Sequence, residues 1–529
     1  MFSKVNSFGI HGVEGFPVTV EADLGDGLPA FILVGYLSGE VREAQERVRT
    51  ALKNSGLRLP PRKLTINLSP ADVRKEGTAY DLAIAAAVLC SLGEAKPEIA
   101  EMLEQWAFIG ELGLDGSVKP VPGILSRVYE ASRQGIRRIF LPWKNLAEGR
   151  NVPEIEVIGL HHLSELFSYL KNPEQKPEIS IQEFLKEESE GVPGECVEES
   201  VDFEEVLGLP VVRRACEAAA AGKHNLLFIG PAGTGKTMVA RRLPTILPPM
   251  TLEESMEVSK IYSICGMLPK GQALIRKRPF RSPHHTITAQ ALTGGGRAPG
   301  PGEISLASRG ILFLDELAEF PPWILDQLRQ PMEEEKITVS RLRGTVTFPA
   351  APLVVAAMNP CKCGLYPDPR CRCTEPQIRK YLGRISGPFL DRMDLGVEVP
   401  RQSFSGVAGQ KAGESSAVMR ERVLRARKRQ EERFADNFSN HPEKAGLPFW
   451  NSQMDRKQIR QFCRMKENDE KFFEQVCERM GFSIRGRDKI RKVARTLADL
   501  DGAEQISREH LSEAIAFRSF EYRYWGMGK

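Results

Sequence analysis

Eight consecutive residues, Gly230, Pro231, Ala232, Gly233, Thr234, Gly235, Lys236 and Thr237, match the pattern G-x-x-x-x-G-K-[ST] at every fixed position. Glycines at these places let backbone N–H groups wrap phosphate oxygens. The lysine reaches the β- and γ-phosphates, and the threonine hydroxyl suits Mg²⁺. The residue types therefore specify ATP with its Mg²⁺. A second constellation follows downstream, where the apolar run Ile311-Leu312-Phe313-Leu314 ends in Asp315-Glu316. There Asp315 is expected near the metal and Glu316 as the general base that polarises water. Asn359, after the apolar run Leu353 to Met358, adds an amide able to hold the water or the γ-phosphate.

Three such groups must sit at the ends of neighbouring parallel strands to converge on one ligand. The sequence supplies the elements. Val211 to Ala221 reads as a small-residue helix. Asn225 to Ile229, Ile311 to Leu314 and Leu353 to Ala357 read as short buried strands, the layout of a parallel α/β domain. We assign this core to residues 202–400. From 401 to 529 the pattern is helical, with helices over Ser415 to Phe434, Arg485 to Asp499 and Arg508 to Arg518. The first of these is basic (Arg420, Arg422, Arg425, Arg427, Lys428, Arg429, Arg433). Residues 1–170 alternate strand-like runs (Pro17 to Val20, Phe31 to Val34, Leu64 to Leu68) with helical ones (Glu40 to Ser55, Tyr80 to Leu92), which predicts an α+β domain. Residues 171–201, rich in Glu, Pro, Ser and Lys, read as a flexible linker.

At 529 residues the chain is too long for one core. Its net charge of +4 does not by itself argue for nucleic acid, so that case rests on local clustering. The N-terminus shows no apolar segment of a signal peptide, and no apolar run is long enough to span a membrane. The expected compartment is the cytosol. Ten cysteines in such a chain do not form a disulfide framework. Four of them, Cys361, Cys363, Cys371 and Cys373, form two C-x-C pairs around a turn with Gly364, Pro367, Asp368 and Pro369. This donor set suits a tetrahedral Zn²⁺ site, with four reduced structural thiols as the alternative. Cys90, Cys196, Cys216, Cys265, Cys463 and Cys477 are scattered.

Taken together, the phosphate loop, the acidic pair, Ala357-Met358-Asn359-Pro360 and Leu390-Asp391-Arg392-Met393-Asp394 resemble the AAA+ ATPases. The phrases Arg278-Pro279-Phe280-Arg281-Ser282-Pro283-His284-His285, Gly302-Glu303-Ile304-Ser305-Leu306-Ala307 and Ser386-Gly387-Pro388-Phe389-Leu390 narrow the resemblance to the magnesium-chelatase-like YifB/ComM family, over nearly the whole chain. The resemblance implies an α/β P-loop AAA+ core with a helical C-terminal lid, and a ring, usually a homohexamer, with ATP sites between subunits. Arg392 then matches the arginine finger that reaches a neighbour's γ-phosphate, and Arg485 the second sensor on the lid. Leu209 follows Gly208 where relatives often carry glutamine, a departure at the expected adenine pocket.

The spacing from Lys236 to Asp315 is long for a minimal core. The resemblance implies that the excess, around Pro269 to Pro301, points into the ring pore. No acidic residue lies between Glu257 and Glu303, while Lys260, Lys270, Arg276, Lys277, Arg278, Arg281 and Arg297 do, with His284 and His285. Lys336 to Phe348 reads as a second basic element, a hairpin with Arg341 and Arg343 at its tip. Two cationic loops per subunit would bind a phosphate backbone without sequence preference. Pairing of these cations with acidic groups of neighbouring subunits is the alternative.

Asn67 to Thr78 and Gly110 to Gly116 are similar to the Lon-protease-like domain, of ribosomal S5 domain 2-like fold. The serine of the Lon dyad falls at Ala79 and its lysine at Leu125. Neither can act as nucleophile or base, and Thr78 has no evident lysine partner, so no peptidase activity is expected. The resemblance implies a DNA motor, a ComM-like branch-migration helicase in natural transformation. A metal-chelatase-type ATPase and a protein-remodelling AAA+ protein are the alternatives.

Overall fold

A computed structural model describes residues 2–172, 201–269, 274–296, 299–341, 344–401, 413–435 and 448–526. Most of the expected linker lies outside these residues, as do Cys196, Lys270, Arg297 and Arg343. The chain divides into two units, Met1–Glu195 with Ser259–Ile275, and Cys196–Val258 with Arg276–Lys529.

The first unit is built on a seven-stranded mixed sheet. Its long antiparallel pair joins Phe2–His11 to Glu14–Gly25. Lys63–Ser69 extends the sheet on one side, and parallel strands Trp106–Phe108, Arg138–Pro142 and Glu156–Leu160 extend it on the other. The first strand shows no clear apolar alternation in sequence because two of its inward residues are polar. Ser3 Oγ donates to the carbonyl of Ala87 (2.6 Å) and Ser7 Oγ to that of Phe108 (2.9 Å), so both are satisfied in the core and hide the alternation. Helix Asp81–Ser91 is buried on every side, as its unbroken run of small and apolar residues requires. Asp81 at its start is neutralised by a forked pair of hydrogen bonds from Arg47 (2.7 and 2.9 Å). The expected helix over Glu40 to Ser55 is two helices, Gly39–Arg42 and Ala44–Asn54, interrupted at Glu43.

The second unit carries a five-stranded sheet. The strand entering the phosphate loop, Leu226–Ile229, lies between Leu353–Met358 and Leu395–Glu398. Ile311–Leu314 pairs on the far side of Leu353–Met358, and Phe280–Arg281 closes that edge. All four pairings are parallel. Leu226–Ile229, Ile311–Leu314 and Leu353–Met358 are wholly buried, which explains why they read as continuous apolar runs rather than alternating ones. The helices Ser416–Phe434, Ile484–Leu500 and Arg508–Arg518 match their expected bounds to within one residue. They share a single apolar core with the sheet, in which Phe228, Val355, Val423, Leu497 and Leu511 all lie. Three basic residues of helix Ser416–Phe434 are structural, while Arg420, Arg425, Lys428 and Arg429 are exposed. Arg427 is buried with its guanidinium 3.7 Å from the Trp450 ring, Arg422 binds Glu217 and Glu414, and Arg433 binds Asp499.

Candidate nucleotide site

The phosphate loop runs from the end of Leu226–Ile229 into helix Lys236–Arg242. Gly233 and Gly235 hold φ of +75° and +86°. Residues with a side chain rarely adopt these angles, and they turn successive N–H groups toward one side to make an anion cradle. Lys236 curls back over the loop. Its ammonium donates to the carbonyls of Gly230 and Pro231 (2.7 Å each) and to Asn359 Oδ1 (3.1 Å). Burial lowers its pKa, and the charge of Asp315 opposes that shift. Thr237 Oγ1 donates to Asp315 Oδ2 at 2.7 Å. The two groups expected to hold Mg²⁺ thus already share one point. Glycine cradle, lysine, and a hydroxyl–carboxylate pair fit a magnesium-bound triphosphate.

The three strand ends therefore converge as the sequence indicated. Glu316 shows a feature that the sequence could not. Its backbone is left-handed (φ 51°, ψ 47°), a conformation that costs a residue with a side chain roughly 1–2 kcal/mol. Its amide donates to Asp315 Oδ1 (2.9 Å), and its carboxylate lies 3.6 Å from His285 Nδ1. His285 stacks on His284, with ring centroids 4.0 Å apart. In sequence both histidines belong only to the basic insertion. They follow Phe280–Arg281, so they stand at another strand end of the same parallel sheet, which is the signal that could have placed them.

Arg392 and Arg485 are not brought to this loop. Arg392 precedes Leu395–Glu398, and its backbone carbonyl accepts from Asn225, the residue before the phosphate strand (3.1 Å). It therefore sits at the opposite end of the parallel sheet, about 15 Å away at ~3.3 Å per residue. Its guanidinium binds Glu333 Oε1 (2.7 Å) and the carbonyls of Pro388 (2.6 Å) and Arg329 (3.1 Å). Arg485, largely exposed, lies 4.0 Å from Asp391 at the same end. It does not close over its own chain's phosphate loop, because the N-terminal half of Ile484–Leu500 is anchored at the start of strand Leu395–Glu398. There Lys489 binds Asp394 (2.8 Å), and Asp394 Oδ2 accepts from the amide of Asn225 (2.9 Å). Burial would raise the pKa of Asp394, but Lys489 and His224 hold it far below the usual carboxylate range.

The insertion differs from the expected free cationic loop. Lys260 binds Glu14 (3.2 Å), Arg278 binds Glu254 (2.8 Å), and Arg281 grips Glu303 with two hydrogen bonds (2.7 and 2.6 Å). These partners lie outside the acid-free span of sequence, so counting charge within it overestimated the unpaired charge. Arg276 and Lys277 are exposed. The expected hairpin is present, with Lys336–Arg341 pairing antiparallel with Gly344–Pro349. In the first unit, Ala79 and Leu125 are both buried, and Thr78 Oγ1 donates to Glu111.

The four clustered cysteines do converge. Their sulfurs all lie within 4.8 Å of one another, with Cys361 buried and the others partly or fully exposed. No helix among the described residues is long and apolar enough to cross a membrane.

A parallel sheet that places one strand between the phosphate-loop strand and the acidic strand, and ends that strand in Asn359, defines a P-loop ATPase of the AAA+ class. Comparison with known families agrees. Residues 202–407 match "Magnesium chelatase, subunit ChlI", residues 20–145 match "Subunit ChlI of Mg-chelatase", and residues 413–518 match "Magnesium chelatase, subunit ChlI C-terminal". The chain is 40% identical to the YifB proteins of Salmonella typhimurium and Escherichia coli, over 96% of both chains in each case. It is 39% identical to the competence protein ComM of Haemophilus influenzae, again over 96% of both. The chain belongs to the magnesium-chelatase-like YifB/ComM family of AAA+ proteins.

Proposed function

We propose that this chain hydrolyses ATP with Mg²⁺ as a cytosolic, ring-forming motor, usually a homohexamer, and that the motor acts on single-stranded or branched DNA. The observation that carries the ATPase reading is the convergence of Lys236, Thr237, Asp315 and Asn359 at adjoining strand ends. In this reading the loop amides and Lys236 bind the phosphates, Thr237 and Asp315 hold Mg²⁺, Glu316 takes a proton from water, and Asn359 orients that water. Mg²⁺ would neutralise charge on the transferring phosphoryl group. Arg392 and Arg485, standing at the far end of the sheet, would complete the site of a neighbouring copy. The C-terminal helices, residues 401–529, would act as its lid.

Kinship with ComM supports competence-linked DNA work, a branch-migration helicase in transformation. Arg276, Lys277 and the hairpin are the surfaces offered to the phosphate backbone. The first unit is read as a Lon-like fold whose dyad positions are apolar, serving assembly or DNA contact. The pairing of Lys260, Arg278 and Arg281 with carboxylates favours, as a second reading, an AAA+ ATPase of the protein-remodelling or metal-chelatase type. The four cysteines are proposed to hold Zn²⁺, since four soft thiolates at one point match that ion.

Hydrolysis measured with and without single-stranded, duplex and branched DNA tests the DNA reading. Stimulation that falls steeply with salt is expected. Absence of stimulation by every DNA form, junctions included, would remove DNA and leave the second reading.

A further inference from the structure

Cys361 follows Asn359 by two positions, so the cysteine turn begins where the strand bearing the site amide ends. The sulfur of Cys361 lies 3.3 Å from that of Cys363 and 3.7 Å from that of Cys371, and the last two are 3.5 Å apart. A tetrahedral Zn–S shell with bonds of about 2.3 Å needs sulfurs roughly 3.8 Å apart, so only small adjustments close it. The amide of Tyr366 already points at Cys361 Sγ (3.4 Å), an interaction that steadies a thiolate ligand.

Little else orders this turn. From residue 361 to 374 only Cys361 and Gly364 are buried. A segment with so few buried side chains gains little from apolar burial to offset its conformational entropy, and a metal crosslink supplies what packing does not.

Gly364 links the turn to the nucleotide loop. It is left-handed (φ +76°), and a Cβ built on it would stand 3.5 Å from the amide nitrogen of Ala232 and 3.7 Å from Pro231 Cα. The backbone of the cysteine turn thus lies directly against the first residues of the phosphate loop. On its outer side Tyr366 meets the ring of Tyr524 edge-on (6.2 Å), and Tyr524 donates to Glu398 (2.8 Å).

We propose that one zinc ion on Cys361, Cys363, Cys371 and Cys373 makes this turn a rigid brace for the phosphate loop, so that zinc occupancy sets nucleotide affinity. The proposal rests on the zinc reading of the cluster and adds its purpose. The brace acts at two points, through Gly364 on Pro231–Ala232 and through the chain leading to Asn359. Zinc here is a positioning element and takes no part in bond breaking.

The test uses the full chain. Metal analysis of the purified protein is expected to give one zinc per chain, and the double variant Cys363→Ser/Cys371→Ser is expected to lose it. Binding of a fluorescent ATP analogue should weaken about tenfold in that variant, as it would if the competent loop fell to a tenth of the population. Circular dichroism shows whether the variant keeps its fold. If it does not, stripping zinc from the intact protein with a thiol-reactive mercurial and measuring the same affinity replaces it. Gly364→Ala, which leaves all four thiols, should retain zinc and still bind the analogue less tightly. Iron in place of zinc, or no stoichiometric metal, would overturn the zinc reading. Zinc present with unchanged nucleotide affinity after stripping and in Gly364→Ala would overturn the brace alone.

Discussion

His285 Nδ1 lies 3.6 Å from Glu316 Oε2, so the side chain proposed to activate water is engaged by a residue of the neighbouring edge-strand loop. Glu316 has a left-handed backbone, and its carboxylate meets His285, whose ring stacks on that of His284. A carboxylate held there is less available to water than a free one. His285→Ala is therefore expected to raise DNA-free ATP hydrolysis severalfold, read as phosphate release. Glu316→Gln should lower it by about 10²–10⁴. A His285→Ala enzyme slower than the parent would show that the histidine assists Glu316 and does not restrain it.

Arg392 and the phosphate loop stand at opposite ends of one parallel sheet. If Arg392 serves a neighbour, Arg392→Ala should bind ATP with little change yet lose on the order of 10³ in turnover. Lys236→Ala should lose binding itself. Mixing the two inactive variants should restore part of the activity, since one supplies an intact loop and the other an intact arginine. A mixture as inactive as its parts would argue against shared sites.

The exposed pair Arg276 and Lys277 gives a surface probe of DNA contact in the insertion. Reversing both to Glu should remove most DNA stimulation and flatten its salt dependence. DNA-free hydrolysis should not change. Stimulation that survives the double reversal would move the DNA contact to the hairpin or the first unit.

The Asp394–Lys489 pair ties helix Ile484–Leu500 to the start of strand Leu395–Glu398. Removing one partner of such a pair leaves a buried charge, and Asp394→Asn should cost about 3–5 kcal/mol at neutral pH. The pH dependence has a definite sign. The folded pKa of Asp394 is depressed, so its stabilisation is complete above the unfolded value of about 3.9 and is lost as the pH falls below it toward the folded value. The stability gap between parent and Asp394→Asn, read from urea melts, should therefore narrow below about pH 4. A gap that widens there would contradict the assignment.

Much of the nucleotide site was legible because its groups are tied to local pattern. A glycine-rich loop after an apolar strand, and acidic or amide residues at the ends of two more, announce themselves within a few residues. What sequence could not supply were meetings between distant segments. His285 touches Glu316, and Gly364 lies on Pro231, only because a parallel sheet brings separate strand ends together. The basic insertion looks more cationic in sequence than in space for the same reason, because Glu14, Glu254 and Glu303 pair with its cations from outside its span. In the first unit Ser3 and Ser7 hid a strand, since their hydroxyls satisfy core carbonyls while looking exposed in sequence.

The placement of Arg392 and Arg485 away from their own chain's loop also constrains assembly. If both arginines serve a neighbour's loop, a two-fold pair could exchange them reciprocally across one self-complementary patch, and it would then stop at two completed sites. The proposed ring uses a heterologous, head-to-tail contact instead, which would leave an unmatched loop at one terminus of every open oligomer. Rotational closure would then fill the last site. Specific hydrolysis should therefore climb with chain concentration more steeply than association alone would require, because each open intermediate carries one catalytic centre fewer than it has subunits.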